Sequence, residues 1–185
     1  MPYFTTYTGR RVDLLDPDPA EISIDDIAHH LAYQCRFNGG TADHYSVAQH
    51  SVIVSRLVPT ELAIKGLMHD AAEAYTGDLS SVMKRALSPS ALAEFKAIDA
   101  RITRAIEEAL GVDLTHSPVV KHFDRMLLRA ESEMLGGAVE EIFELPVPTF
   151  GRIEPWAPRR AERLFREAFE ALTEPAVLPR LAFAA

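Results

Sequence analysis

Hydrophobic residues recur every three to four positions through most of this chain, which is the period of an α-helix with one buried face. The most regular stripe comprises Phe95, Ile98, Ile102, Ala105, Ile106, Ala109 and Leu110. It stops at Gly111, a residue type that often ends helices because it tolerates left-handed backbone. Two further stripes predict two more helices. One follows Pro118 and comprises Val120, Phe123, Leu127, Ala130 and Met134; the other precedes Pro175 and comprises Ala161, Leu164, Phe165, Ala168, Phe169 and Leu172.

Capping residues and helix breakers predict three helices in the first half of the chain. They run from Ser23 to the Asn38-Gly39-Gly40 breaker, from Ser46 to about Leu57, and from Pro59 to Gly77. β-Branched and aromatic residues between Tyr3 and Leu15, around a Thr8-Gly9 turn, predict a short N-terminal hairpin or extended arm. The prolines between Leu145 and Pro158 predict an ordered loop without regular structure.

These elements predict an all-α fold, a compact helical bundle with a short N-terminal arm. We expect one domain over residues 1–185, because a chain of this length with 48% hydrophobic residues builds one sizeable core. Its core motifs span residues 24–135 and its C-terminal helix about 158–173. The end at 175–185 is expected to be a frayed tail.

The net charge of −8 argues against binding to nucleic acid or to a membrane surface, since both depend on clustered Lys and Arg. Cys35 is the only cysteine, which excludes an intramolecular disulfide and a thiolate metal site. The first residues lack the apolar run of a secretory signal, and no apolar stretch is long enough for a membrane span. We therefore expect a cytoplasmic protein.

Three metal-capable side chains fall on the apolar faces of separate predicted helices. His50 lies three, four and seven positions before Ile53, Val54 and Leu57. His69 shares a face with Leu62 and Gly66, and Asp124 lies between Val120 and Leu127. Asp70, beside His69, adds a second carboxylate whose burial would be unfavourable without a cation or hydrogen bonds.

A single histidine on an apolar face is more often a core residue than a ligand, but the joint pattern predicts a metal site. Two imidazoles and two carboxylates suit Mn²⁺, Fe²⁺, Co²⁺, Ni²⁺ or Zn²⁺, with Mg²⁺ as a further candidate, and leave open coordination positions. The remaining histidines are expected to be structural. These are His29, His30, His44, His116 and His122.

The segments IDDIAHHLAYQCRFNGGTADHYSVAQHS, GLMHDAAEAYTGDLSSVMK and FDRMLLRAE resemble the HD-domain metal-dependent phosphohydrolases. They are similar to the YfbR-type 5′-deoxynucleotidases and the small phage-type dNTP triphosphohydrolases, and the resemblance covers roughly residues 3 to 135. It implies a compact helical bundle. It also implies that the metal ligands are His50, His69, Asp70 and Asp124.

The resemblance further assigns accessory roles. Glu73 and Asp78 match the acidic residues that position and activate the attacking water, and Arg36 and Lys84 match the cations that hold the substrate phosphate. The family commonly follows this arginine with tryptophan, whereas Phe37 stands here.

The expected function is divalent-metal-dependent hydrolysis of a phosphate ester in a small nucleotide substrate, in the first place a 5′-deoxynucleotidase acting on dNMPs. A dNTP triphosphohydrolase that releases tripolyphosphate is the alternative. A catalytically silent metal- or nucleotide-binding domain is the second alternative. The run His69-Asp70-Ala71-Ala72-Glu73-Ala74 lacks the second acid of alarmone hydrolases. Assembly into a homodimer or a higher homo-oligomer is expected from the family and stays open on the sequence, as do the base and the number of phosphates.

Overall fold

The computed structural model describes residues 2–135 and 153–174. A two-stranded hairpin precedes eight α-helices within these ranges. The strands are β1 (Tyr3–Thr5) and β2 (Arg11–Asp13), and the helices are α1 (Ile24–Tyr33), α2 (Val47–Leu57), α3 (Ala63–Met68), α4 (Glu73–Thr76), α5 (Ser81–Ala86), α6 (Pro89–Leu110), α7 (Pro118–Leu135) and α8 (Pro158–Thr173). The prediction of an all-α fold with a short N-terminal hairpin is confirmed.

Serine side chains start four of these helices. The hydroxyls of Ser23, Ser46, Ser80 and Ser88 accept hydrogen bonds from backbone N–H groups in the first turns of α1, α2, α5 and α6. Each bond satisfies a donor that has no partner within its own helix. At the other end of α6, Gly111 adopts a left-handed conformation with φ of 64°, as predicted for that position.

Helix α2 lies at the centre of the bundle and packs against α1, α3, α7 and α8. Its Val47, Ala48 and Val52 contribute to a large core that also contains buried residues of α1, α6 and α8. Its Val54, with Val58 just beyond its end, joins a smaller core with residues of α7. A polar side chain on α2 between these faces is therefore enclosed from several directions, and His50 occupies such a position with no exposed surface.

The prediction of one continuous helix from Pro59 to Gly77 is wrong. Helix α3 ends at Met68, a tight turn follows, and α4 begins at Glu73. Backbone N–H groups of Ala71, Glu73, Ala74 and Tyr75 donate to the carbonyl three residues earlier, instead of four. This tighter winding changes the directions in which the side chains of the turn project.

One helix boundary and one whole helix also differ from prediction. Helix α1 ends at Tyr33, because Arg36 N–H donates to Tyr45 O at 2.8 Å and Val47 N–H donates to Gln34 O at 3.2 Å. This extended pairing takes the place of a last helical turn and draws residues 34–36 against residues 45–47. Helix α5 was not predicted, since its six residues carry no recognisable apolar stripe.

The hairpin is attached to the bundle by two side chains of α1. Asp26, which is fully buried, accepts hydrogen bonds at 2.8 Å from both the N–H and the hydroxyl of Thr8 in the turn. His30 Nδ1 donates to Ala74 O at 2.9 Å, and its Nε2 accepts from Tyr7 N–H at 3.0 Å. His30 thereby connects the hairpin, α1 and α4.

The predicted proline-rich loop is described only from Ile153 onward, and its earlier part lies outside the described residues, as does the predicted tail at 175–185. Buried Gln49 on α2 holds the described part, because its Nε2 donates to Glu154 O and its Oε1 accepts from Trp156 N–H. In the described ranges, no helix combines the length and apolar character needed to cross a membrane.

Candidate metal centre

Three potential ligands from three helical segments converge beneath the surface. Each of His50, His69 and Asp124 offers one ligand atom, and these atoms all lie within 4.8 Å of one another. Asp124 Oδ1 is 3.2 Å from His50 Nε2 and 3.9 Å from His69 Nε2. His50 comes from α2, His69 directly follows α3, and Asp124 lies in α7. The sequence prediction that these side chains share one interior position agrees with this geometry.

The second nitrogen of each imidazole already has a partner. His69 Nδ1 lies 2.9 Å from Gly66 O, and because a carbonyl oxygen can only accept, Nδ1 carries the proton. His50 Nδ1 lies 2.7 Å from the carboxylate oxygen Oε1 of Glu131 and donates in the same way. Both rings therefore direct Nε2, the nitrogen available to a metal ion, toward Asp124.

Asp70 adjoins this group through His69. Its Oδ2 lies 3.1 Å from His69 Nε2 and 3.9 Å from the guanidinium of Arg36. Among the described residues it is not part of the mutual three-residue group, although the sequence predicted it as a ligand. The tight turn after α3 places Asp70 next to the predicted phosphate-binding Arg36 as well as next to His69.

The charged groups of this centre shift the pKa values of Asp124 and His50 in opposite directions. Burial tends to raise the pKa of Asp124, but the hydrogen bond from His50 and the charges of His69, His50 and Lys121 hold that pKa well below its usual value. Lys121 Nζ lies 2.6 Å from Asp124 Oδ2, so Asp124 has only Oδ1 free of this ion pair. Burial and Arg36 lower the pKa of His50, but Glu131 and Asp124 outweigh them and raise it to about 9.

A second acidic group lies at one side of the centre. Burial and the charges of Asp70 and Asp78 raise the pKa of Glu73 to about 10, against the opposing influence of Lys84 and Arg36. Burial also raises the pKa of Asp78, again with opposing contributions from Arg36 and Lys84. The four accessory residues predicted from the sequence therefore interact electrostatically with one another. They are Glu73, Asp78, Arg36 and Lys84. Gln34 helps to hold the backbone of Glu73 in place, because its Nε2 donates to Glu73 O at 2.8 Å.

Glu131 is a residue of this centre that the sequence analysis did not single out. It lies on α7 with no exposed surface, and its carboxylate contacts His50, Tyr45 and Arg36. It stands seven residues after Asp124, which is two helical turns along the same face. That spacing, with the apolar Leu127 and Ala130 between the two acids, was the available signal.

Two curated proteins are similar to this chain over most of its length. The uncharacterized protein YfdR of Escherichia coli is 36% identical over 180 residues, which cover 94% of this chain and 97% of YfdR. This chain belongs to the YfdR family. An uncharacterized protein of Rhodobacter capsulatus is 35% identical over 162 residues, covering 78% of this chain and 81% of that protein. No family model matches the chain.

In this member of the YfdR family, the other histidines lie away from the three converging ligands. His44 Nε2 donates to Ala32 O at 2.9 Å, and its Nδ1 lies 3.1 Å from the Cys35 thiol. His29 stacks on Tyr7 and approaches Glu162. His116 and His122 are exposed. Among the described residues, the group that could hold a metal ion contains none of these histidines.

Proposed function

We propose that this protein is a divalent-metal-dependent phosphohydrolase of the HD type that cleaves phosphate esters of small nucleotides, in the first place 5′-monophosphates of deoxynucleosides. The observation that carries the proposal is the convergence of two imidazole Nε2 atoms on Asp124 Oδ1, while both Nδ1 atoms are engaged elsewhere.

The residues present fit a divalent cation. His69 Nε2 is buried and has no hydrogen-bond partner among the described residues, although carboxylates of Asp70 and Asp124 lie near it. A nitrogen lone pair directed at two carboxylates is unfavourable unless a positive charge lies between them. The mixed nitrogen and oxygen donors suit a first-row transition ion such as Mn²⁺ or Co²⁺, held by His50, His69 and Asp124, with Asp70 beside them.

The acidic and basic residues around this group supply the remaining functions. A bound divalent ion lowers the pKa of water and withdraws charge from a phosphoryl oxygen. Glu73 is suited to take up the proton of the attacking water, because its Oε2 has no partner in the described part of the chain and the charge of a bound cation would lower its raised pKa, so that it can act as a base. Arg36 and Lys84 are the cations positioned near these acids to stabilise negative charge on the phosphate.

The test is an assay of metal-stripped protein to which Mn²⁺, Co²⁺ or Mg²⁺ is restored, with each dNMP and dNTP offered separately. Nucleoside and orthophosphate formed from a dNMP would support the proposed nucleotidase. Nucleoside and tripolyphosphate formed from a dNTP would replace it with a triphosphohydrolase. An absence of turnover with every metal would overturn the phosphohydrolase proposal and favour a silent binding domain.

Metal binding is measured separately from turnover. Isothermal titration of the stripped protein with Mn²⁺ or Co²⁺ is expected to show one site per chain, and His69→Gln is expected to weaken it strongly. His122→Gln is the matched control, because His122 is an exposed histidine of α7 outside the ligand group. Equal affinity in the two variants would contradict the assignment of His69.

A further inference from the structure

Glu131 joins two parts of the centre that the proposed function uses separately. Its Oε1 accepts from His50 Nδ1 at 2.7 Å and from the Tyr45 hydroxyl at 2.6 Å. Its Oε2 lies 3.2 Å from both Nε and Nη2 of Arg36. One carboxylate thus contacts a metal-ligand candidate and the phosphate-binding candidate, on opposite oxygens.

Glu131 and the three side chains that it contacts are buried. Glu131, His50 and Tyr45 have no exposed surface, and Arg36 is 8% exposed. A carboxylate removed from water needs donors at both oxygens, and the four donor atoms around Glu131 supply them. Because His50 Nδ1 donates to Glu131, the imidazole is held in the orientation that presents Nε2 to Asp124.

The backbone reinforces the contact. Arg36 N–H donates to Tyr45 O at 2.8 Å, so two partners of Glu131 come from segments that are themselves paired. Ser46 follows Tyr45 and caps α2, the helix that carries His50. A shift of Glu131 would therefore move His50 and Arg36 together.

We propose that Glu131 is a positioning residue that couples the metal centre to the phosphate site, so that occupation of one raises the affinity of the other. This inference rests on the proposed function, because it assumes a metal ion at His50 and a phosphate at Arg36. A carboxylate behind a ligating histidine orients the ring and increases its basicity, and loss of such a partner typically lowers metal affinity about 10–100-fold.

The test compares wild-type protein with Glu131→Gln, which keeps the shape of the side chain but replaces one acceptor oxygen by a donor. Mn²⁺ affinity of the stripped protein, measured by titration calorimetry, is expected to fall about 10–100-fold in the variant. Inorganic phosphate is then titrated with and without saturating Mn²⁺. The wild type is expected to bind phosphate more tightly when Mn²⁺ is present, and the variant is expected to lose most of that difference.

Two controls separate positioning from general destabilisation. Glu133→Gln changes an exposed acid that stands two residues after Glu131 on α7. Asp26→Asn changes another fully buried carboxylate, whose hydrogen bonds come from Thr8 in the hairpin turn. Both are expected to leave Mn²⁺ affinity within about twofold of wild type, the second despite lower stability. A loss in Asp26→Asn equal to that in Glu131→Gln would overturn the inference.

A measurement on the wild type keeps the inference testable if Glu131→Gln does not fold. In Zn²⁺-loaded, ¹⁵N-labelled protein, long-range ¹H–¹⁵N spectra are expected to show His50 with a protonated Nδ1 and a metal-bound Nε2. A metal-bound Nδ1 would overturn the role of Glu131. If wild-type protein binds no divalent metal, the proposed function itself fails; if it binds metal and Glu131→Gln binds equally well, only this inference fails.

Discussion

Two acidic residues at the same centre, Glu131 and Glu73, have opposite surroundings. Glu131 contacts three donor side chains, and although burial would raise its pKa, Arg36 and His50 lower it. The Oε2 atom of Glu73 is also buried, yet it has no hydrogen-bond partner in the described ranges, and its pKa is raised to about 10. One carboxylate is stabilised as an anion, whereas the other is favoured in its neutral form.

Under the proposed function, this difference distinguishes a residue that holds the site in place from a residue that takes part in the reaction. A carboxylate whose oxygens are all engaged keeps its neighbours in place, but it has no free electron pair for a new proton. A carboxyl group with a free oxygen and a raised pKa holds a proton at neutral pH, and it can accept and return a proton once the charge of a bound cation lowers that pKa. Four substitutions test this contrast, from the largest expected effect to the smallest.

Glu73→Gln is expected to lower turnover of the proposed phosphohydrolase by about 10²–10⁴-fold, because the amide cannot accept a proton. The free energy of unfolding is expected to stay the same or to rise, since an uncharged amide replaces a buried carboxyl group to whose Oε2 no group donates a hydrogen bond in the described ranges. Steady-state kinetics and urea unfolding of the same preparation check both results. Turnover within about threefold of wild type would contradict the assigned role.

Glu131→Ala is expected to lower the free energy of unfolding by about 3–5 kcal/mol, because it leaves the buried Arg36 charge without its main partner and His50 and Tyr45 without an acceptor. Urea unfolding of the metal-free protein measures it. Glu73→Ala serves as the comparison and is expected to show a much smaller loss. Equal losses in both variants would remove the proposed distinction.

Tyr45→Phe sharpens the contrast by removing one donor from Glu131 while its other contacts stay in place. The hydroxyl lies 2.6 Å from Oε1 in a fully buried position, and hydrogen bonds to charged groups contribute about 1.5–3 kcal/mol. We expect a loss of that size in the free energy of unfolding, measured by denaturant titration. A loss below about 0.5 kcal/mol would mean that Glu131 does not depend on this donor.

Glu133→Gln is expected to change the free energy of unfolding by no more than about 0.5 kcal/mol. Glu133 is on the same helix as Glu131, but its side chain is exposed and pairs with Arg129 at 3.1 Å across one turn. Thermal and denaturant unfolding measure the change. A loss comparable to that of Glu131→Ala would show that position on α7, rather than burial of the acid, determines the effect.

The sequence predicted the elements with strong periodicity and the ligands that lie on them. The apolar stripes gave α6, α7 and α8, and the inward faces of α2 and α7 placed His50 and Asp124 correctly beside each other. The turn after α3 was missed because Ala71, Ala72 and Ala74 are compatible with a continuous helix, and only the three-residue hydrogen bonds distinguish the two.

Glu131 could not be assigned with the same ease, because its partners come from distant parts of the sequence. Tyr45 and His50 stand 86 and 81 residues before it, and Arg36 stands 95 residues before it. Helical spacing identifies which face a residue occupies, but it does not identify what faces that residue across the core. The expectation of an HD-type phosphohydrolase stays a prediction that the assays above address.

The position of α8 has a consequence for synthesis of the protein on the ribosome. Ala161 and Phe165 of α8 are fully buried in the large core, where the helix packs on α1, α2 and α3. A nascent chain that has not yet extruded residues 158–173 therefore leaves the apolar sides of three earlier helices uncovered. We expect the bundle to close only after α8 has left the ribosome, so that chains truncated before α8 bind chaperones or aggregate.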